Sequence, residues 1–239
     1  MPLLRRIRLA TYLISITAVG CADPSSPVDP SLIATLRFVN AMGTGEAVDV
    51  VVGNKVVRSA LAHGDVFEWR LAPSTTPVLA GIRAGSRTQT VQLHSVEPSE
   101  RVLFVAHGTT LSLGVLAGDT NSVRFDRVNV RIAFVAANAP LVKAYVQPET
   151  QSALGPLPWV STQSAYSAPL FTPYYRAAPS AQRLTVIFAE YNPGGAEHIL
   201  AVSEPFEATS ASAWLVTFDR NSTGYVAIVA REPVLFPLD

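Results

Sequence analysis

Beyond residue 33 the chain is a succession of apolar runs, most of them four to eight residues long, separated by turn-forming residues. The runs are rich in β-branched and aromatic residues, and none sustains the 3.6-residue period of an amphipathic helix. Val48–Val52, then Gly53 and Asn54, then residues 55–57 predict a hairpin, because a two-residue turn requires positive φ and these turn residues adopt it cheaply. The sequence therefore predicts an all-β protein.

The same reasoning predicts further strands at residues 66–71, 78–83, 87–93, 101–107 and 111–117. Short strands with frequent turns and no helices favour a sandwich of two antiparallel sheets. Charged residues make up 15% of the chain, below the usual quarter or so. Abundant valine, alanine and threonine then suit sheets whose faces are largely covered.

The strand pattern occurs twice. ATLRFVNA around Phe38 resembles VRIAFVAA around Phe134, an offset of 96 residues. Further on, TVQLHSVEP ending at Pro98 resembles HILAVSEP ending at Pro205, an offset of 107. The order of elements is kept while the spacing grows, as expected if a loop lengthened in the second copy. Chance similarity between valine-rich strands is the alternative explanation.

The repeat predicts two tandem antiparallel β-sandwiches, over residues 34–126 and 127–239. The boundary is placed near Asp126, after the polar residues 119–122. A single barrel formed from both copies would not explain why the pattern restarts near Val128.

The second copy carries an insertion at residues 147–179, with six prolines and several large aromatic side chains. Proline interrupts sheet hydrogen bonding, whereas aromatic rings supply large flat contact surfaces. In one interpretation the rings cap the sandwich end or pack between the domains. In the other they form an exposed surface that stacks on sugars or on a partner protein. The residues of this candidate binding surface are Trp159, Tyr166, Phe171, Tyr174 and Tyr175.

Residues 1–20 have the pattern of a signal peptide. Arg5, Arg6 and Arg8 form a basic start, and residues 9–19 follow without a charge. An apolar stretch this short spans only about half of a roughly 30 Å hydrocarbon core, so it is too short for a permanent transmembrane helix. The sequence therefore predicts export and removal of this segment.

The end of this segment, AVGC at residues 18–21, resembles the lipobox of bacterial lipoproteins, which implies a diacylglyceryl thioether on Cys21. Cys21 is the only cysteine of the chain, so no intramolecular disulfide can form. The alternative is an ordinary small residue in the signal tail. Proline-rich residues 21–33 read as the lipidated cysteine and an extended tether. Ala22 at the sorting position points to the outer membrane, although the nearby Asp23 leaves the inner membrane open.

Together, the lipobox, the strand LRFVNA at residues 36–41, the VDVVV strand and the repeat resemble a bacterial envelope family, the domain of unknown function 4397 family. The resemblance covers residues 34–118 well and 128–231 loosely, and it implies tandem immunoglobulin-like sandwiches on a secreted protein or lipoprotein. MGTGE at residues 42–46 departs from the usual loop of the family, and Lys143 stands where the first copy has Asp49. Because the family has no assigned activity, the resemblance implies fold and location only.

Composition excludes a nucleic-acid footprint, since removal of residues 1–21 leaves 15 basic against 18 acidic residues. No GxSxG nucleophile elbow, calcium loop or phosphate-binding loop is present. The sequence therefore predicts no catalytic residue, no metal and no cofactor.

The histidines and acids that could carry chemistry are scattered. His63, Asp65 and Glu68 form the only local group that could bind a cation or transfer a proton, and a solvated turn explains them equally well. Carboxylate pairs for glycoside hydrolysis depend on spatial separation, so acids can only be named as candidates. The remaining histidines and candidate acids are His94, His107, His198, Glu190 and Glu197.

Two functions remain open. The first is a non-enzymatic, lipid-anchored envelope module that binds or scaffolds a protein or glycan partner, with the membrane contacted through Cys21. The alternative is an envelope glycan hydrolase whose carboxylates meet in a cleft between the two domains, one with a raised pKa. A purely structural spacer would show neither a binding patch nor a cleft.

Overall fold

The computed structural model describes residues 33–119, 123–162 and 169–234. The predicted signal peptide, Cys21 and nearly all of the predicted tether lie outside these residues. The described residues fold entirely as strands and connecting turns, which confirms the all-β prediction. They include no apolar helix long enough to cross a membrane.

Each copy of the sequence pattern forms its own set of strands. The first set comprises β1 (Ala34–Asn40), β2 (Val48–Val52), β3 (Lys55–Leu61), β4 (Val66–Leu71), β5 (Val78–Ala84), β6 (Arg87–Leu93), β7 (Arg101–His107) and β8 (Ser112–Leu116). The second comprises β9 (Val128–Phe134), β10 (Val142–Pro148), β11 (Val160–Ser161), β12 (Leu170–Phe171), β13 (Tyr175–Ala177), β14 (Leu184–Glu190), β15 (His198–Val202), β16 (Ser212–Arg220) and β17 (Tyr225–Glu232).

The strands form four sheets, two from each set. The first set gives sheets ordered β4-β1-β7-β8 and β3-β2-β5-β6. The second gives β12-β9-β16-β17, with β13 also paired to β9, and β11-β10-β14-β15. The strand order is therefore the same in both copies, with β12 and β13 together in the place of β4. The predicted sandwich architecture is confirmed, and the predicted boundary near Asp126 falls between the two sets.

Most strand pairs are antiparallel, as predicted, but each sandwich also contains one parallel pair. β1 runs parallel to β7, and β9 runs parallel to β16. Phe38 lies opposite Phe104 in the first pair, and Phe134 lies opposite Phe218 in the second, so Phe38 and Phe134 occupy equivalent positions. The parallel pairs arise because long connections bring each copy's first strand beside its second-to-last one.

Each sandwich has its own apolar core. Alternate residues of a strand point to opposite faces, so Leu36 and Phe38 of β1 enter the first core, where Phe38 stacks on Phe104 at 4.7 Å between ring centroids. In the second core Phe134 and Phe188 pack edge to face at 5.9 Å. These buried rings fill part of the space between the two sheets of each sandwich.

The two sandwiches pack against each other through equivalent sheets. A third cluster, here called the interface cluster, joins the outward faces of sheets β4-β1-β7-β8 and β12-β9-β16-β17. Its buried members are Val39, Ala41, Leu103, Val105, Ala133, Val135, Leu215, Ile228 and Ala230. The body is therefore a stack of four sheets in which both faces of the two middle sheets are covered.

The strands give this body two distinct ends. The chain enters β1 at Ala34. Arg101, where β7 begins, and Val128, where β9 begins, lie at the same end, which is here called the tether end. The parallel pairs finish at Ala106 and Phe218, close to the turns that follow β7 and β16, which form the far end. A seven-residue strand spans roughly 23 Å, which separates the far end from the point where the chain enters β1.

Candidate functional site

A cleft of about 430 Å³ lies between the sandwiches at the far end. The first sandwich contributes the turn between β7 and β8, and the second contributes the chain just after β9 and the turn between β16 and β17. The lining residues are His107, Gly108, Thr109, Thr110, Ser112, Val135, Ala137, Asp219, Arg220, Asn221 and Ser222. Neither sandwich could form this cleft alone.

One hydrogen bond ties the two walls together. The backbone N–H of Gly108 donates to Oδ2 of Asp219 at 2.6 Å, which connects the β7–β8 turn to the last part of β16. Gly108 has φ of 88°, and a Cβ there would lie 2.9 Å from the carbonyl oxygen of Thr110, so only glycine fits. Burial raises the pKa of Asp219, opposed by the hydrogen bonds from Gly108 and Arg220 and by His107.

His107 ends β7 beside this contact and is 8% exposed. Burial lowers the pKa of His107 below 6.5, and the nearby Asp219 carboxylate only partly opposes that shift. The ring is therefore neutral at neutral pH. Ser112 lies opposite His107 across the β7–β8 pair, and its hydroxyl donates to the carbonyl of Thr110 at 3.4 Å.

The rim of the cleft carries polar groups that the described protein leaves available. Asn221 Oδ1 accepts hydrogen bonds from the backbone N–H groups of Thr223 and Gly224 and from the Thr223 hydroxyl. These contacts fix the β16–β17 turn, and within the described residues the Asn221 amide nitrogen has no partner. The hydroxyls of Thr109, Thr110 and Ser222 likewise make no hydrogen bond to a described residue, so all four groups can serve a ligand.

At the tether end the same interface holds a group of buried charges, here called the charge network. Arg37 donates to Glu68 at 2.7 Å and forms an ion pair with Glu232, whose side chain is 0% exposed. The Tyr174 hydroxyl donates to Glu232 at 2.8 Å. Burial lowers the pKa of Arg37, but Glu232 and Glu68 outweigh it and the pKa rises, so Arg37 stays charged.

Arg131 extends the charge network across the interface. Its guanidinium donates to both oxygens of Asp119, at 2.6 and 3.0 Å, and lies 4.2 Å from the ring centroid of Tyr174. Burial and the Glu232 carboxylate raise the pKa of Tyr174, which keeps its hydroxyl protonated as a donor. Bidentate and stacked contacts hold a guanidinium in one orientation, so this network fixes how the sandwiches meet.

The predicted aromatic surface is divided between packed positions. Tyr174 is 9% exposed and belongs to the charge network, whereas Phe171 packs against the interface cluster. Trp159 and Tyr175 pack against the second core, 5.5 Å apart between ring centroids. Tyr166 lies outside the described residues. The four described rings therefore pack against other parts of the body, Tyr174 buried and the other three half-buried.

The candidate acids and histidines are dispersed. Glu68 pairs with Arg37, while His63 and Asp65 lie exposed in the turn between β3 and β4, so the predicted local group does not converge. Glu197 accepts hydrogen bonds from Lys143 and Tyr145. Within the described residues no group of three or more histidines, cysteines or acids could hold a metal ion. His94 and His198 are exposed, and Glu190 is half-buried.

Of the residues singled out in the sequence, only His107 lines the cleft. Asp219, Asn221 and Ser222 carry no motif, and Asp219 is 111 residues from Gly108 along the chain. The one available signal was their position in the repeat: most lining residues of the two sandwiches lie at the end of β7 and β16 or just after them, and these are equivalent strands. No family model matches the chain, and no curated protein matches it significantly.

Proposed function

We propose that the protein is a non-enzymatic, lipid-anchored module of the bacterial envelope that binds a ligand in the cleft at its far end. The observation that carries the proposal is the cleft itself, whose walls come from both sandwiches and are joined by the contact between Gly108 and Asp219. Pockets at domain junctions, with a few polar groups on a fixed framework, are typical ligand sites. The interface cluster and charge network supply that framework.

Anchoring and location are part of the proposal. The lipobox-like AVGC sequence, the proline-rich tether and the resemblance to the 4397 family support a lipid on Cys21, and Ala22 supports the outer membrane. Two or three acyl chains would anchor the chain stably, whereas one would not. Since the tether joins the body at the end opposite the cleft, a chain anchored this way would direct the cleft away from the bilayer.

The geometry favours binding over hydrolysis at this site. Retaining and inverting glycosidases ordinarily use two carboxyl groups, whereas Asp219 is the single acid among the described lining residues. Ser112, His107 and Asp219 share the cleft, but no hydrogen bond links the His107 ring to either partner within the described residues. The raised pKa of Asp219 is the observation that favours the hydrolase alternative. Turnover assays on envelope glycan would detect such hydrolysis.

The binding proposal is tested by screening the full chain against a library of small polar molecules, using amide NMR shifts as the readout. We expect saturable shifts concentrated at Gly108, Thr110 and Asn221. Thr90, on the outer face of β6, provides a control site at which a T90A change should leave binding unchanged. Shifts that never saturate, or that map elsewhere, would contradict the proposal.

Anchoring is tested separately by growing the producing bacterium with labelled palmitate. We expect label on the wild-type chain in the membrane fraction and none on a Cys21→Ser variant, because the thioether requires the cysteine. No label on the wild-type chain would show that Cys21 is an ordinary residue of the signal tail, and equal labelling of both chains would place the lipid on another residue.

A further inference from the structure

We propose that the ligand of the cleft is a neutral saccharide of one or two rings; this inference rests on the proposed binding function and specifies its substrate class. Three properties of the described lining support it: its charge balance, its hydrogen-bonding groups and its size.

The first property is the charge balance of the lining. Arg220 and Asp219 contribute one positive and one negative charge, and the buried His107 ring is neutral at neutral pH. Arg220 lies over the ring of Tyr225, 5.6 Å from its centroid. Asp219 is 2% exposed and adjoins Arg220 in the chain, so the two charges of the lining balance, and neither a free anion nor a free cation meets a net opposite charge in the cleft. This balance favours an uncharged ligand.

The second property is the mixture of donors and acceptors. The hydroxyls of Thr109, Thr110 and Ser222 can both donate and accept, and the Asn221 amide nitrogen donates. Sugar hydroxyls also donate and accept, so each can pair with these groups in either direction. Ala137 is exposed and adds aliphatic surface against which the C–H face of a sugar ring can pack.

The third property is size. A cleft of about 430 Å³ lies in the lower part of the range of roughly 300–1,000 Å³ found for small-molecule pockets. This volume suits one or two sugar rings inside the cleft. A free sugar and the end of an envelope glycan present the same chemistry here, so the two sources must be separated by experiment.

The test titrates the full chain, purified as its host processes it, with five probes under NMR. The neutral probes are N-acetylglucosamine, maltose and a four-residue N-acetylglucosamine oligomer; the charged probes are inorganic phosphate and putrescine. We expect the neutral sugars to saturate shifts at Gly108, Thr110 and Asn221, and the charged probes to leave these residues unchanged. Tighter binding of the four-residue oligomer than of its single sugar would identify a glycan end as the ligand, and equal binding would identify the free sugar.

Two variants make the test specific. Thr110→Val keeps the side-chain shape and removes one hydroxyl, and Ser222→Ala removes another from the opposite wall. Each lost hydrogen bond should weaken sugar binding by about five- to tenfold. The T90A variant on the outer sheet should bind as the wild type does.

The outcomes separate this inference from the proposed function. Saturation by phosphate or putrescine, with none by the sugars, overturns the saccharide class while the cleft remains a binding site. Sugar binding that both wall variants leave unchanged overturns the assignment to this cleft. If neither these probes nor the polar library saturates the cleft, the inference and the proposed function both fail.

Discussion

At the residue scale, Arg37 shows how far a side chain can depart from its expected environment. In the strand LRFVNA it lies between Leu36 and Phe38, which point into the core, so alternation directs Arg37 outward and toward water. The second sandwich covers that face, and Arg37 pairs with Glu68 and with Glu232, 195 residues away. A buried charge left without its partner is costly, so this pair should be sensitive to mutation.

We expect Arg37→Met to lower the free energy of unfolding by about 3–5 kcal/mol, because Glu232 would keep a buried charge with Tyr174 as its one remaining side-chain donor among the described residues. Chemical denaturation measures the change. The double variant Arg37→Met with Glu232→Gln should recover part of the loss, since it removes the stranded charge.

The matched control is Arg83, which pairs with Asp49 on an outer sheet and has a side chain 43% exposed. Arg83→Met should cost no more than about 1 kcal/mol, as exposed ion pairs contribute little. Equal losses for Arg37→Met and Arg83→Met would contradict the burial of the charge network.

A second prediction at this scale concerns pH. The pKa of His107 lies below its ordinary value of 6.5, so just below pH 6.5 the unfolded chain binds a proton that the folded chain excludes. Stability should therefore fall as the pH drops through this window, with a contribution of at most about 1.4 kcal/mol per pH unit. His107→Gln should remove this contribution.

Denaturation curves at several pH values on both sides of 6.5 provide the measurement. Asp219 acts in the opposite sense: its raised pKa means that the folded chain takes up a proton first, so acidification through that pKa stabilises the fold. The Asp219→Asn variant lacks this offset, so its free energy of unfolding should fall more steeply with acidification than that of the wild type. Identical slopes for the wild type and His107→Gln would contradict a buried, neutral histidine.

At the element scale, the strands of the first sandwich were predictable from the sequence, because each is a short β-branched run bounded by turn residues. Residues 66–71, 87–93 and 101–107 match β4, β6 and β7 at both ends. The parallel pair of β1 with β7 was not predictable, since periodicity reports which face is buried and not which strand lies alongside. The short strands β12 and β13 were not predicted for a different reason. They are two and three residues long and lie in a proline-rich segment, where no apolar run long enough to indicate a strand is present.

The interface between the sandwiches was predictable only in part. A low charge content indicated covered faces, and β9 is buried at all seven positions. Which sheets cover each other is a tertiary property, and the sequence offered no pattern for it. A cleft between the two domains was foreseen only for the hydrolase alternative. Its position and lining were not predictable, since its walls belong to different copies.

A charge placed in the interface cluster should separate the sandwiches. Val105 of β7 is 0% exposed within this cluster, so Val105→Glu would bury an unpaired carboxylate at a cost of several kcal/mol unless the interface opened. We expect the radius of gyration measured by small-angle scattering to increase while both cores stay folded by circular dichroism.

The control is Thr88→Glu on the exposed face of β6, which should leave the radius of gyration unchanged. A Val105→Glu variant as compact and stable as the wild type would show that the two middle sheets do not depend on this contact.

At the scale of the whole molecule, the two sandwiches are held as one body. Equivalent sheets face each other, an apolar cluster lies between them, and polar contacts hold both ends of the interface. Because the far-end cleft is made of parts from both sandwiches, its shape is only defined if they do not move independently. Binding, orientation away from the tether and the choice of ligand all depend on this rigidity.

The most direct test is a distance measurement between the two outer sheets by double electron–electron resonance. Cys21 is the only cysteine, so a Cys21→Ser chain with Thr90→Cys on β6 and Val202→Cys on β15 carries two unambiguous spin labels. Four stacked sheets at about 10 Å spacing predict one narrow distribution centred near 30 Å plus the label arms. A broad or multimodal distribution would mean that the sandwiches move independently, and the preformed cleft would have to be abandoned.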